Sequence, residues 1–310
     1  MNLKNLDIRD VFFENIKNLF LKNKDFYILT NDADVFSLQQ IKNHERFIDA
    51  GVCEQNLINI ASGLARKNKK VLIYGFCNFL CHRAYEQIKI NIASMNLPIA
   101  IVGIGPGFSF PYDGPTHHGI QDISNILTIP EFEIYNLSDN KFADYMSKNI
   151  FKIKGPKYIR LEKGVCPSNF NKADFLNGFE FTPSSIKKET LVITTGYFSQ
   201  LVEKSLQNYK NYSLISLLRL KNFNKKKFIN ILKKNKKILI YDENTFYGGI
   251  SPIINKIIID YNLIGKKIYY LTCPEDKQIF RYNTERNKIL DDLGIGEIGL
   301  SKKIKYINKY

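Results

Sequence analysis

The sequence predicts two α/β domains, each built on a mostly parallel sheet, and three observations carry that prediction. The chain has 310 residues, beyond the roughly 250 to 300 at which a single hydrophobic core usually stops growing. Short β-branched and aromatic runs alternate with amphipathic stretches of about ten to fifteen residues, the pattern of parallel strands joined by crossover helices. Residues 164–188 are rich in Pro, Gly, Ser and Asn without a sustained period, and mark a boundary.

In chain order, the first series of strands is VLIYGF (71–76), PIAIVGI (98–104) and KYIRLE (157–162). The second is LVITTG (191–196), SLISLLRL (213–220), KILIYDEN (237–244) and KIYYLTC (267–273). The reading gives a first domain over 1–165, a linker over 166–188 and a second domain over 189–310.

Composition narrows the function. The hydrophobic share of 44% and charged share of 24% are those of a folded globular chain, which excludes a disordered or fibrous protein. The longest uncharged stretch, 90–112, contains Asn91, Asn96, Pro98, Pro106 and Pro111, so no transmembrane segment is expected. The N-terminus has no apolar signal run, and a cytoplasmic location is expected. The five cysteines form no CxxC pair, which argues against a disulfide framework or zinc site. A net charge of +15 invites a nucleic-acid partner. However, the cations are 37 lysines against eight arginines, scattered and often beside Asn and Ile, as in an AT-rich coding sequence. No nucleic acid or membrane is expected as a partner.

The most informative residue is Glu54, at the head of EQNLINIASGLARKN. Leu57, Ile58, Ala61, Leu64 and Ala65 follow it at helical spacing, so the carboxylate sits on the buried stripe of its own helix. One reading is a first-turn acid favoured by the helix dipole and swung out to solvent. The other is a desolvated carboxylate poised to share a proton with a bound base.

Three strings in order, FIDAGVCEQNLINIASGLA (47–65), FCNFLCHRAYEQI (76–88) and DGPTHHGIQDISNILTIP (113–130), resemble the pyrimidine-binding domain of the transketolase family of thiamine-diphosphate enzymes. The resemblance runs from about residue 5 to 165, and YDENTFYGG (241–249) resembles the start of that family's C-terminal domain. It implies that Glu54 bonds N1′ of the cofactor's aminopyrimidine, that Phe79 stacks on the pyrimidine and Phe76 lines its pocket, and that Val35 props the bent cofactor. It further implies that Asp113 and His117 meet the sugar's hydroxyl and carbonyl oxygens, with His117 as acid and base. Arg160 would clamp the sugar's distal phosphate through a two-pronged guanidinium, with Arg9 as a second phosphate ligand.

Two departures stand out. His118 occupies the place where the family usually has Gln, and Gly105 the place where many transketolases have a phosphate-binding histidine. The adjacent His117 and His118 have no third ligand spaced nearby, so no metal site is expected in this chain.

Gly-Asp-Gly, the family's diphosphate and magnesium motif, is absent from the sequence. The resemblance therefore implies the C-terminal subunit of a split transketolase, which transfers a two-carbon ketol unit between sugar phosphates on thiamine diphosphate. A separate N-terminal subunit would hold the diphosphate and Mg²⁺, in an assembly expected to be an α2β2 heterotetramer. The alternatives are another thiamine-dependent subunit, resembling deoxyxylulose-phosphate synthase or a 2-oxo-acid decarboxylase, and a non-enzymatic basic adaptor. DG-x-TH and the four-residue step from Phe79 to Arg83 favour transketolase; Glu54, Phe79, Asp113, His117 and Arg160 occurring together argue against decay.

Overall fold

A computed structural model describes residues 6–166, 172–184, 190–206, 212–276 and 283–309. The chain divides into two compact units, one comprising Met1–Pro106 and Ser124–Phe170, the other Gly107–Ile123 and Asn171–Tyr310.

The first unit is a six-stranded sheet of β1 (Phe26–Thr30), β2 (Phe47–Asp49), β3 (Lys70–Phe76), β4 (Ala100–Ile104), β5 (Glu133–Asn136) and β6 (Lys157–Leu161). The order is β2-β1-β3-β4-β6-β5 and every pairing is parallel. Parallel strands are buried on both faces, which is why β4 reads as an unbroken apolar run, and β6 is buried along its whole length although it carries Lys157 and Arg160. The helix Ile8–Lys22 is capped by Asp7, whose side chain accepts from the Arg9 amide, and it packs against the helix Asn140–Asn149, capped in the same way by Asp139. From β1 the chain steps outward to β2, then crosses to the other side for β3. The strand order therefore reverses between β1 and β3, and the crevice beyond their carboxyl ends is where an open α/β sheet binds ligands.

The second unit holds β7 (Phe179–Thr182), β8 (Thr190–Thr195), β9 (Tyr212–Leu217), β10 (Lys237–Thr245) and β11 (Lys267–Cys273), ordered β11-β10-β8-β9-β7. The pairings are parallel except β7 against β9. Gly107–Ile123 is grouped with this unit although it lies between β4 and β5 in sequence. Gly107 and Gly119 exchange backbone hydrogen bonds of 2.7 and 2.8 Å, and Phe108 and Ile120 lie in this unit's core with Phe198, Leu239 and Tyr241.

All seven strands expected from sequence are present, with ends shifted by up to three residues. β1, β2, β5 and β7 are additional to them. β7 and the helix Lys172–Asn177 lie inside the stretch read as a linker; FEFT is only four residues long and gains its hydrogen bonds at a sheet edge from β9, which local composition does not reveal. Residues 167–171 and 185–189 of that stretch lie outside the described residues. No helix of the described residues is long and apolar enough to cross a membrane, and the uncharged stretch 90–112 is divided among a helical turn, β4 and a loop.

Candidate active site

In the first unit, the reversal between β1 and β3 assembles one polar centre. The helix Glu54–Arg66 follows β2 and buries Glu54, Leu57, Ile58, Ala61, Ser62 and Ala65. The expected stripe is thus the inward face, except that Leu64 is half-buried and Ser62, bonded to the Ile58 carbonyl at 2.8 Å, joins it. Glu54 is 4% exposed, which rules out the solvent-facing reading.

Two donors reach the Glu54 carboxylate. Asn31, immediately after β1, donates from Nδ2 at 2.9 Å, and Arg83 donates from a terminal guanidinium nitrogen at 2.9 Å. Both bonds end on Oε1, so Oε2 is not engaged by either donor. Arg83 is 45% exposed on its side chain, which limits the ion pair to the order of 1 kcal/mol. Its guanidinium carbon lies 4.0 Å from the centroid of Phe79, and Phe79 meets Phe76 at 5.5 Å with the ring planes inclined by 61°. Phe79–Arg83 forms a wide π-helical turn, a local irregularity enriched at functional sites. Glu54, Phe76 and Phe79 are therefore tied to one centre through Arg83 and the ring contact. Asn31 and the contact made by Arg83 are additions that residue spacing does not reveal.

Val35 is buried at the start of the 3-10 turn Phe36–Ile41. Arg160 is 3% exposed, in register with Gly103 on β4 and Asn136 on β5. Arg9 is held by Asp7 through bonds of 3.3 Å from Nε and 3.2 Å from Nη2, within the cap of its own helix. Gly105 has φ of 78°, a left-handed conformation that a histidine would adopt only under strain. The absence of the phosphate-site histidine is thus matched by the local backbone.

In the second unit, the loop 107–119 carries an exposed Asp113 and a half-buried His117, whose Nδ1 lies 3.0 Å from the Thr116 hydroxyl. His118 is buried against Phe108 at 4.9 Å between centroids, and burial pulls its pKa below the ordinary histidine value, favouring the neutral ring. The two histidines therefore face different surroundings, and no group of three metal-ligating side chains occurs among the described residues.

The parallel sheet, with a buried glutamate, neighbouring aromatics and a carboxylate oxygen engaged by neither donor at its switch point, has the layout of a ligand-binding α/β domain. The sequence profile of the transketolase pyrimidine binding domain matches residues 4–168, and the chain belongs to the transketolase family. It is 27% identical over 268 residues to 1-deoxy-D-xylulose-5-phosphate synthase of Blochmanniella pennsylvanica, covering 85% of this chain and 42% of that enzyme. It is 24% identical over 259 residues to one of the subunits of apulose-4-phosphate transketolase from Phocaeicola vulgatus, covering 79% of this chain and 81% of that subunit. The chain thus spans less than half of the synthase but most of the transketolase subunit. Among solved structures, a split-gene transketolase in an inactive β4 tetramer superposes with a TM-score of 0.81 at 18% identity, covering 97% of this chain and 98% of that one.

Proposed function

We propose that this chain is the C-terminal subunit of a split, thiamine-diphosphate-dependent transketolase that works with a separate N-terminal subunit. The observation that carries the reading is the Glu54 carboxylate, buried at the switch point with both donors on Oε1. This donor set fits an aminopyrimidine, because Oε2 is left to share a proton with a ring nitrogen. When bound, thiamine diphosphate supplies the nucleophilic carbon that carries the two-carbon unit.

The residues of this chain do the rest. Glu54 presents Oε2 to share a proton with the ring nitrogen, while Asn31 and Arg83 fix the carboxylate's rotation. Phe79 and Phe76 hold the pyrimidine plane, a contribution of roughly 0.5–1.5 kcal/mol beyond burial, and Val35 supports the bent cofactor. Asp113 and His117 orient the sugar's hydroxyl and carbonyl oxygens, with His117 passing a proton. Arg160 takes the distal phosphate; Arg9 could assist only after leaving Asp7.

The partner subunit is proposed to hold the diphosphate and Mg²⁺ in an α2β2 assembly located in the cytoplasm. The similarity to a protein named as a transketolase subunit, 81% of which is covered, supports a two-chain enzyme. A deoxyxylulose-phosphate synthase chemistry on the same residues is the second reading, favoured by the 27% identity to such a synthase. The decisive experiment is calorimetric titration of thiamine diphosphate with Mg²⁺ into this chain alone and into its mixture with the N-terminal subunit. Binding only in the mixture is expected, whereas binding to the lone chain would refute the two-chain site. Turnover on a ketose phosphate without a 2-oxo acid would then separate transketolase from synthase.

A further inference from the structure

The loop that carries Asp113 and His117 is seated on residues far along the chain, all within the second unit. At its entry, the Phe108 amide donates to Glu243 Oε1 at 3.1 Å. Glu243 in turn receives a two-pronged contact from Arg286, Nε to Oε1 at 2.9 Å and Nη2 to Oε2 at 2.6 Å. Arg286 also lies over the Tyr197 ring, 3.9 Å from its centroid. Both side chains are largely enclosed, at 14% exposure for Arg286 and 9% for Glu243, so the pair is shielded from solvent.

Two glycines record how close the seating is. Gly107, at φ 61°, has no room for a Cβ because the Glu243 carboxylate occupies that space. At the loop's exit, a Cβ on Gly248 would collide with the Ile120 carbonyl. Gly248 is itself fixed by its amide bonding the Thr245 carbonyl at 3.1 Å and hydroxyl at 3.0 Å. The segment 241–249 therefore holds both ends of the loop, with Phe108 and Ile120 set in the core beneath it.

We infer that Glu243 and Arg286 are positioning residues: together with Gly248 they clamp the base of the loop 107–119 and so set the conformation in which Asp113 and His117 are presented. The catalytic consequence rests on the role proposed above for those two residues; the clamp itself does not. Removing the carboxylate leaves the Phe108 amide without that acceptor and takes the Glu243 charge away from a largely enclosed guanidinium. Glu243→Gln keeps an acceptor for the amide and loses only the charge, so it separates the hydrogen bond from the ion pair.

The test is hydrogen exchange by mass spectrometry on the intact chain, comparing wild type with E243Q, E243A and R286K. Peptides covering 107–119 are expected to exchange at least tenfold faster in E243A and two- to fivefold faster in E243Q and R286K, while peptides from the helix Glu54–Arg66 stay unchanged. Loop exchange within twofold of wild type in all three variants would overturn the clamp, as would protection lost evenly along the chain. In the mixture with the N-terminal subunit, E243Q is expected to lower kcat at least threefold with thiamine diphosphate affinity unchanged. A faster-exchanging loop with unaltered kcat would overturn the positioning role. If wild type itself shows no ketol transfer, the proposed function fails, and the exchange data still decide the clamp.

Discussion

Asn31, just past the end of β1, donates to Glu54 Oε1 at 2.9 Å, and this buried donor shares that oxygen with Arg83, whose side chain is 45% exposed. A buried hydrogen bond to a charged group contributes about 1.5–3 kcal/mol. N31A is therefore expected to lower kcat in the two-chain mixture at least tenfold while the circular dichroism spectrum is retained. E54Q is expected to leave less than a tenth of wild-type turnover in a folded chain. Turnover above that level in E54Q would remove Glu54 from its assigned role.

Gly75 makes room for Asn31. A Cβ there would run into the Asn31 side-chain oxygen, which is buried and has no hydrogen-bond partner among the described residues. G75A is expected to cost about 1–3 kcal/mol through overpacking. Combining it with N31A removes the obstructing atoms, so the double variant should recover most of that loss relative to N31A alone, a coupling readable by urea denaturation. Additive losses would mean the glycine serves some other contact.

Lys157 is fully buried at the start of β6, with its ammonium 3.4 Å from the Pro98 carbonyl, and burial lowers its pKa from 10.5 to about 8. Below pH 8 the lysine is charged in both the folded and unfolded states, and the burial penalty is present in full. Between about 8 and 10.5 the unfolded chain binds the proton more tightly, so this residue's contribution to stability rises with pH across that window. K157M is expected to raise the unfolding free energy at pH 7 by about 3 kcal/mol, the linkage equivalent of the shift, and to abolish the rise. Denaturant curves at pH 7 and 10 on both proteins check this; equal pH slopes would show that Lys157 is not the titrating group.

Much of the fold is legible because its parallel strands are rich in β-branched and aromatic residues: β3, β4, β6, β8, β9, β10 and β11 are all visible. β1 and β2 are not, since FYILT sits among lysines and acids and FID has three residues; their strand character comes from pairing with β3 and with each other. The same blindness hides Asn31, which matters only because β1 lies beside β3. Glu54 is legible since its own helix carries the stripe that buries it. The partners of the histidine loop are not, because 135 positions separate Phe108 from Glu243. His118 shows a subtler limit: sequence places it beside His117, whereas packing on Phe108 gives it a separate environment.

The clamp also sets a timetable for the ribosome. Phe108 is synthesised 135 positions before the carboxylate that receives its amide. At about 5–20 residues per second, the nascent loop waits on the order of ten seconds for Glu243, and longer for Arg286. During that interval its apolar anchors, Phe108 and Ile120, lack the core that later encloses them. The loop that presents the histidines is thereby among the last parts of the chain able to mature, and a growing polypeptide halted before β10 would expose two hydrophobic side chains to whatever chaperone or neighbour reaches them first.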